Sequence, residues 1–526
     1  MKTNRLFLGL MAVGTLFSCS NDETEFTKPV TGELETSYIA INVNSAYDAT
    51  RANGYEDGTT DEKAVNKAIF FFFDEAGNPF NVSDAIGGTG KNYIVKDNLG
   101  TAGSNPNNVE TITEAVLTIR DNKDSNPSKV VAVLNWDYND VSISLDDLRT
   151  ELVTEAEATN TTDGFIMSNS VYMSGTEIMD ATPITAANIS ATENDANAVA
   201  VQIYVERVAA KVAVTMEDDD ADGLFDTGIN NPLASGENYF VKVLGWDINT
   251  TISHSNMVKE INSAWTDSNT GIVGWSIEAY KRSFWGTSVT TGNGVTMAKN
   301  FSWDGIANDI AAPDYCLENT TGEKTKLIVK AQITDANGDP VEIVKFLGEY
   351  ITVEGLKNQV ASALATRYYK VDGTTYTGIL PADIELVQAG ESGADSYTVT
   401  YKLTTAAEAA TWAIKNDDAS YSDVTAADVN NALGALTGAQ IWKEGMAYYF
   451  TDIKHLGSEG SSAEFGIIRN HSYIVNITGI VGLGTPVYDP TNDVVEPITP
   501  TDTESFISAQ INVLSWKLVN NNVVLK

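Results

Sequence analysis

Tyr38-Ile39-Ala40-Ile41-Asn42-Val43 alternates along its length with the two-residue period of a strand buried on one face. That period places Ile39, Ile41 and Val43 inward. Working outward from it, short Val-, Ile-, Tyr- and Phe-rich runs recur, separated by clusters of Gly, Asn, Asp, Ser and Thr. The spacing predicts strands over Ala68–Phe73, Lys129–Leu134, Val199–Val214, Tyr239–Ile248 and Lys326–Ile333. Further strands are predicted over Ser396–Leu403, Met446–Ile453, Ser472–Ile480 and Ala509–Val519. Helices are few. Ser144 and Thr425 each read as an N-cap with an acid three residues on, and Leu356–Tyr368 carries a weaker helical period. Strands at short spacing with occasional helices predict a mainly β chain built of β-sandwiches, not an alternating α/β sheet.

Upstream, Lys2 and Arg5 precede the apolar run Leu6–Phe17, long enough for an export signal and too short to span a bilayer. The run ends in Leu16-Phe17-Ser18-Cys19, a lipobox pattern in which the thiol of Cys19 is the group that takes the lipid. Only Cys19 and Cys316 exist, so with Cys19 lipidated no internal disulfide is available, and stability must come from buried apolar surface. A chain of 526 residues can supply two or three cores.

The 71 acidic and 33 basic residues give a net charge of −38. That field repels nucleic acid and anionic membrane, which argues against direct binding of either by the folded chain. Signatures of catalysis are missing from the sequence: no nucleophile elbow, P-loop, dinucleotide glycine pattern or paired-histidine metal motif. His254, His455 and His471 stand alone and far apart along the chain, and Cys316 has no cysteine-protease context.

One acidic stretch is sharper. Asp218, Asp220, Asp222 and Asp226 occupy positions one, three, five and nine of an EF-hand-like loop, with Gly223 at position six. Alternating oxygen ligands of this kind suit a structural calcium. Ile229 stands where the bidentate glutamate belongs, so a solvated acidic hairpin loop is the alternative. No other cofactor is indicated. Arg51 lies in Asp48-Ala-Thr-Arg51-Ala52-Asn-Gly54, a flexible stretch that an arginine-specific protease could thread. A cut between Arg51 and Ala52 detaches both the lipid anchor and Tyr38–Val43.

Read together, these segments resemble the FimA-like fimbrillins, in particular the major shaft subunit of the minor-fimbrium type, a type V pilin made as a lipoprotein precursor. The residues that carry the resemblance are Leu16–Cys19, Tyr38–Val43 with Arg51-Ala52, Lys67–Gly77, Val130–Asn135, Glu206–Val212, Met446–Phe450 with Ile453–Gly457, Gly466–Tyr473 with Ile480–Gly484, and Ile511–Leu525 around Trp516. The central stretch from about Asp247 to Lys326 carries none of it. The acidic run after Cys19 resembles the tag that sends lipoproteins to the outer face of the outer membrane.

The resemblance implies two Greek-key, transthyretin-like β-sandwiches: a signal peptide over 1–19, a removed propeptide over 20–51, sandwiches over 52–198 and 199–505, and a C-terminal donor segment over 506–526. It implies an outer-membrane lipoprotein precursor that becomes a cell-surface fimbrium and supports adhesion. Its partners are copies of itself, anchor and tip subunits, and an arginine-specific protease. The removed strand carries Ile39, Ile41 and Val43. The donor segment carries Ile511, Val513, Leu514, Trp516, Leu518, Val523 and Leu525, and its apolar character close to the last residue suits a partner elsewhere. Two alternatives stay open: an anchor or tip subunit of the same fimbria, or a lipid-anchored glycan-binding protein using Trp246, Trp265, Trp275, Trp285 or Trp303.

Overall fold

The computed structural model describes residues 35–45, 58–82, 90–97, 99–101, 112–121, 126–174, 177–217, 223–231, 236–261, 286–299, 301–455, 460, 464–493 and 506–515. Over these residues the chain is mainly β with a few short helices, as its sequence predicts.

The first unit is one ten-stranded sheet. Its main path uses β1 (Glu35–Ser45), β2 (Lys67–Phe73), β3 (Tyr93–Asp97), β4 (Gly100–Thr101), β5 (Ile112–Asp121), β6 (Lys129–Leu134), β7 (Met167–Asn169) and β8 (Val201–Arg207). The order is β3-β2-β6-β7-β8-β1-β5-β4. In β2, Lys-Ala-Ile-Phe-Phe-Phe-Phe has no alternation because both of its faces are covered. Ala68, Phe70 and Phe72 pack with Ile39, Leu117, Val201, Ile203 and Val205 in a core enclosed by the sheet. Ile69, Phe71 and Phe73 pack on the other side in a second core. That second core also holds Leu145 and Leu148 of α1 (Leu145–Thr150), and Ile252, Met257, Leu317 and Ile468 from far along the chain. It is the seam between the units.

The second unit is a sandwich. A four-stranded sheet, β12-β9-β15-β17, uses β9 (Ala210–Met216), β12 (Asp314–Cys316), β15 (His471–Val481) and β17 (Phe506–Ser515). It faces a five-stranded sheet, β10-β11-β13-β14-β16, made of β10 (Leu224–Asn230), β11 (Asn238–Asn249), β13 (Lys326–Thr334), β14 (Met446–Asp452) and β16 (Thr485–Pro486). Val212, Val214, Tyr473 and Val475 of the first sheet meet Val241, Trp246, Val329 and Tyr449 of the second.

Two boundaries differ from expectation. Val199–Val214 reads as one strand and was expected to open the second sandwich near Ala198. Instead β8 pairs with β7 and β1 in the first sheet, whereas β9 pairs with β12 and β15 in the second. The chain crosses between sheets at the fully buried Val208-Ala209, where an apolar period continues without a turn residue to mark the change. The stretch 199–505 is also more than one sandwich. Between β13 and β14 a further unit closes around its own core of Leu356, Val360, Tyr401, Trp412 and Val429. It contains two small sheets and the helices Val353–Leu364 and Ala426–Gly434, capped by Thr352 and Thr425. The predicted strand within Ser396–Leu403 is Thr398–Leu403 and belongs to this unit, not to the sandwich.

Candidate functional site

Three features bear on function: the slot that holds β1, the edge that holds β17, and the polar part of the seam between them.

β1 is an interior strand. It pairs antiparallel with β5 from Glu35↔Asp121 to Asn44↔Ile112, and parallel with β8 from Ile41↔Val201 to Ser45↔Val205. Ile39 is 0% exposed in the enclosed core, the inward position that the alternation predicts. Ile41 stands opposite Ala115 and Val201, and Val43 opposite Thr113 and Ile203. Along the main path, β1 is the strand that joins the β5–β4 edge to the rest of the sheet. Cys19, Arg51 and Ala52 lie outside the described residues.

β17 is an edge strand. It runs antiparallel to β15, with Ile511 opposite Val475, Val513 opposite Tyr473 and Leu514 opposite Ser472. The expected strand Ala509–Val519 therefore starts earlier, at Phe506, and is described to Ser515. Trp516, Leu518, Val523 and Leu525 lie outside the described residues.

The seam holds buried charge, which sequence reading did not single out. Arg469 is 0% exposed and its guanidinium meets Glu318 at 2.8 Å, with further bonds to Ser255 Oγ at 2.9 Å and to the carbonyls of Asn256 and Met257. Gly286 packs against this pair, and a Cβ there would come within 2.2 Å of Glu318 Oε1. Lys259 and Glu206 form a second pair at 2.9 Å, where burial pushes the Glu206 carboxyl up against the opposing pull of Lys259 and Arg469. A third pair joins Lys211 to Glu62 at 2.8 Å, and Tyr315 OH donates to the same carboxylate at 2.6 Å. Burial works against the Glu62 carboxylate, but the hydrogen bonds from Lys211, Tyr315 and Thr59 outweigh it and hold its pKa below the ordinary value. A buried pair is costly to break because the remaining charge stays out of water. The available signal was a glutamate, an arginine and a lysine set inside the apolar run Val205–Val214.

The histidines are placed otherwise than their separation in sequence indicates. His455 and His471 are both buried with ring centroids 5.4 Å apart, because β14 and β15 bring their ends to the seam. His455 Nδ1 is 3.0 Å from Tyr473 OH, and His471 Nδ1 is 2.8 Å from the Arg469 carbonyl. Cys316 is buried in the sandwich core, and that burial pushes its thiol well up.

Asp226 lies on β10, where its carboxylate accepts from Gly228 N and the Asn238 amide and so secures its own hairpin. Asp218, Asp220 and Asp222 lie outside the described residues. Among the described residues, no group of three or more His, Cys, Asp or Glu side chains is placed to hold a metal ion. Nor is any described helix long and apolar enough to cross a membrane. Trp246 is 0% exposed, Trp303 is half-buried and donates its Nε1–H to the Ala447 carbonyl under Lys330, and Trp265, Trp275 and Trp285 lie outside the described residues.

The fold is thus mainly β, with one strand near the N-terminal end of the described residues set inside a sheet and another near their C-terminal end set on an edge. Residues 440–522 match the family described as major fimbrial subunit protein type IV, fimbrillin, C-terminal. The matched stretch contains β14 to β17. Among solved structures, a Parabacteroides distasonis protein described as a cell adhesion protein is 13% identical, with 93% of this chain and 98% of that one covered at a TM-score of 0.39. A fimbrilin of Porphyromonas gingivalis is 12% identical, with 93% and 98% covered at 0.38. A fimbrial assembly protein of Parabacteroides distasonis is 10% identical, with 74% and 99% covered at 0.29. No curated protein matches the chain.

Proposed function

We propose that the chain is the major, polymer-forming shaft subunit of a cell-surface fimbrium that supports adhesion, and that its role is structural, without catalysis. It is exported as a lipoprotein through Cys19 and held at the outer membrane with β1 completing its own first sheet. An arginine-specific protease cuts between Arg51 and Ala52, β1 leaves, and the C-terminal segment of a neighbouring copy enters the slot. Anchor and tip subunits close the two ends of the fibre.

The observation that carries this reading is the position of β1, laddered on both sides with Ile39 in the enclosed core. Losing such a strand exposes two rows of backbone N–H and C=O groups and an apolar groove, and an extended segment of another chain satisfies both. Each inserted Ile, Val or Leu then contributes roughly 1.5–3 kcal/mol of apolar transfer. Donation by Ile511, Val513 and Leu514 exchanges their ladder on β15 for one in the neighbour. Trp516, Leu518, Val523 and Leu525 supply the remaining apolar side chains of the donor segment.

Arg51→Ala in the producing cell tests the reading. Lipid-bound monomer without fibres is expected, and N-terminal sequencing of wild-type fibres should begin at Ala52. Fibres that retain Tyr38–Val43 would overturn it, and Cys19→Ala should abolish fatty-acid labelling.

A further inference from the structure

We propose that Glu62 is the anchor that keeps β2 fastened to the seam once β1 is gone, so that the slot opens without the first sheet unravelling. The inference rests on the reading of β1 as the removed strand and adds the residue that lets the processed subunit survive.

A chain end cut close to a strand ordinarily frays. Here a cut after Arg51 leaves a new end only a short stretch ahead of β2. The described part of that stretch is tied down at every step. Thr59 N donates to Glu62 Oε2 at 2.7 Å, Glu62 N donates back to Thr59 Oγ1 at 3.3 Å, and Lys63 N donates to the Thr59 carbonyl at 3.2 Å. These bonds close a compact turn. Its centre is the Glu62 side chain, 1% exposed, whose Oε1 receives both Lys211 Nζ and Tyr315 OH. Lys211 and Tyr315 are partners across the β9–β12 ladder, so the two donors form a fork built on the second unit. The Glu62 carbonyl is held separately by Arg207 Nε at 2.7 Å, from the end of β8. Beyond the turn, the Asn135 amide donates to the Ala64 carbonyl at 2.7 Å and accepts from Asn66 N at 2.8 Å, which delivers the chain into β2.

None of these partners belongs to β1 or to any residue before Gly58. While β1 is present, it fastens the sheet through its ladders to β5 and β8. When it is absent, the Glu62 fork holds the leading edge of the retained chain to the second unit, which does not change, and the Asn135 bracket ties the same stretch to the end of β6. An ordinary buried ion pair would stabilise the precursor and the opened form equally. An anchor matters more in the opened form.

The test is a cycle on the full-length chain, read by hydrogen exchange over the amides of Lys67–Phe73, with no protease involved. Ile39→Asp weakens the hold of β1, Glu62→Gln removes the charge from the fork at constant shape, and the double variant carries both. The expected result is that exchange in the double variant exceeds the product of the two single-variant factors by about tenfold. Equal and independent factors would overturn the proposal. Where Ile39→Asp prevents folding, Ile39→Ala with Tyr315→Phe supplies the same cycle in milder form, with the same two outcomes. Because the readout needs no cleavage and no fibre, its failure is distinct from a failure of the Arg51 reading, which N-terminal sequencing of fibres decides.

Discussion

β1 and β17 are both long strands of similar composition near opposite ends of the chain, yet they hold unequal places. β1 is paired on both sides, ten residues with β5 on one and seven on the other, five with β8 and two with Ile189–Ser190, with Ile39 in a closed core. Among the described residues β17 is laddered to β15 alone and forms the margin of its sheet. An interior strand is essential to its sheet, and something must replace it if it departs. An edge strand that leaves costs its sheet only one ladder. The described chain thus has its closed position near one end and its edge position near the other, the arrangement on which the proposed head-to-tail assembly rests.

The comparison is broken most severely by a charge in the closed position. Ile39→Asp should destabilise the precursor by about 4 kcal/mol or more, from an unpaired carboxylate in an apolar core. The processed subunit should be untouched, and denaturant unfolding of both forms checks the difference. Next is the seam that both strands depend on. Arg469→Met leaves Glu318 buried and uncompensated at a cost of about 3–5 kcal/mol, visible in unfolding of precursor and processed forms alike.

At the edge the effects are smaller and separable. Removing residues 506–526 should lower the melting temperature by a few degrees while leaving a cooperative transition, since one outer ladder is lost. Removing only 516–526 should leave melting within about 1 °C and still prevent fibre formation. A truncation of 506–526 that no longer melts cooperatively would show β17 to be as essential as β1.

The pH response sharpens the picture of the seam. Glu155, opening the short helix Glu155–Ala158, is pushed up to about 7 by burial and by the nearby Asp314 and Asp247. Asp247 is pushed up to about 6 by burial, with Asp314 adding to it. Raised carboxyls contribute stability below their unfolded values of 4.5 and 3.8, and that contribution is lost as pH rises through 6 and 7. The melting temperature should therefore fall between roughly pH 5 and pH 8, and Glu155→Gln should flatten the fall. The smallest effect belongs to Asp226→Ala, within about 0.5–1 kcal/mol, because it removes only two hairpin bonds on an exposed strand.

What was legible follows from period and local chemistry. The alternation of Tyr38–Val43 gave β1 and the inward Ile39, and the caps at Ser144 and Thr425 gave their helices, with Ser144 Oγ accepting from Asp147 N at 3.1 Å. The division at Val208-Ala209 was illegible because both strands that meet there are apolar and no glycine or proline intervenes. The inserted unit was read as more of the same sandwich, since its strands have the same texture and only their pairing sets them apart. The buried charges of the seam depend on partners such as Arg207 and Asn470, 263 residues apart, which no local pattern can join. For the same reason His455 and His471 looked solitary.

The inserted unit leaves the sandwich at Ile343 and returns at Trp442, and those two residues are ladder partners. The chain therefore departs and comes back through a single doorway, and the strands on either side keep their register whatever lies between. Such a module is a cassette. Its outer surface can change in sequence and length while the register of the sandwich strands on either side stays as it is.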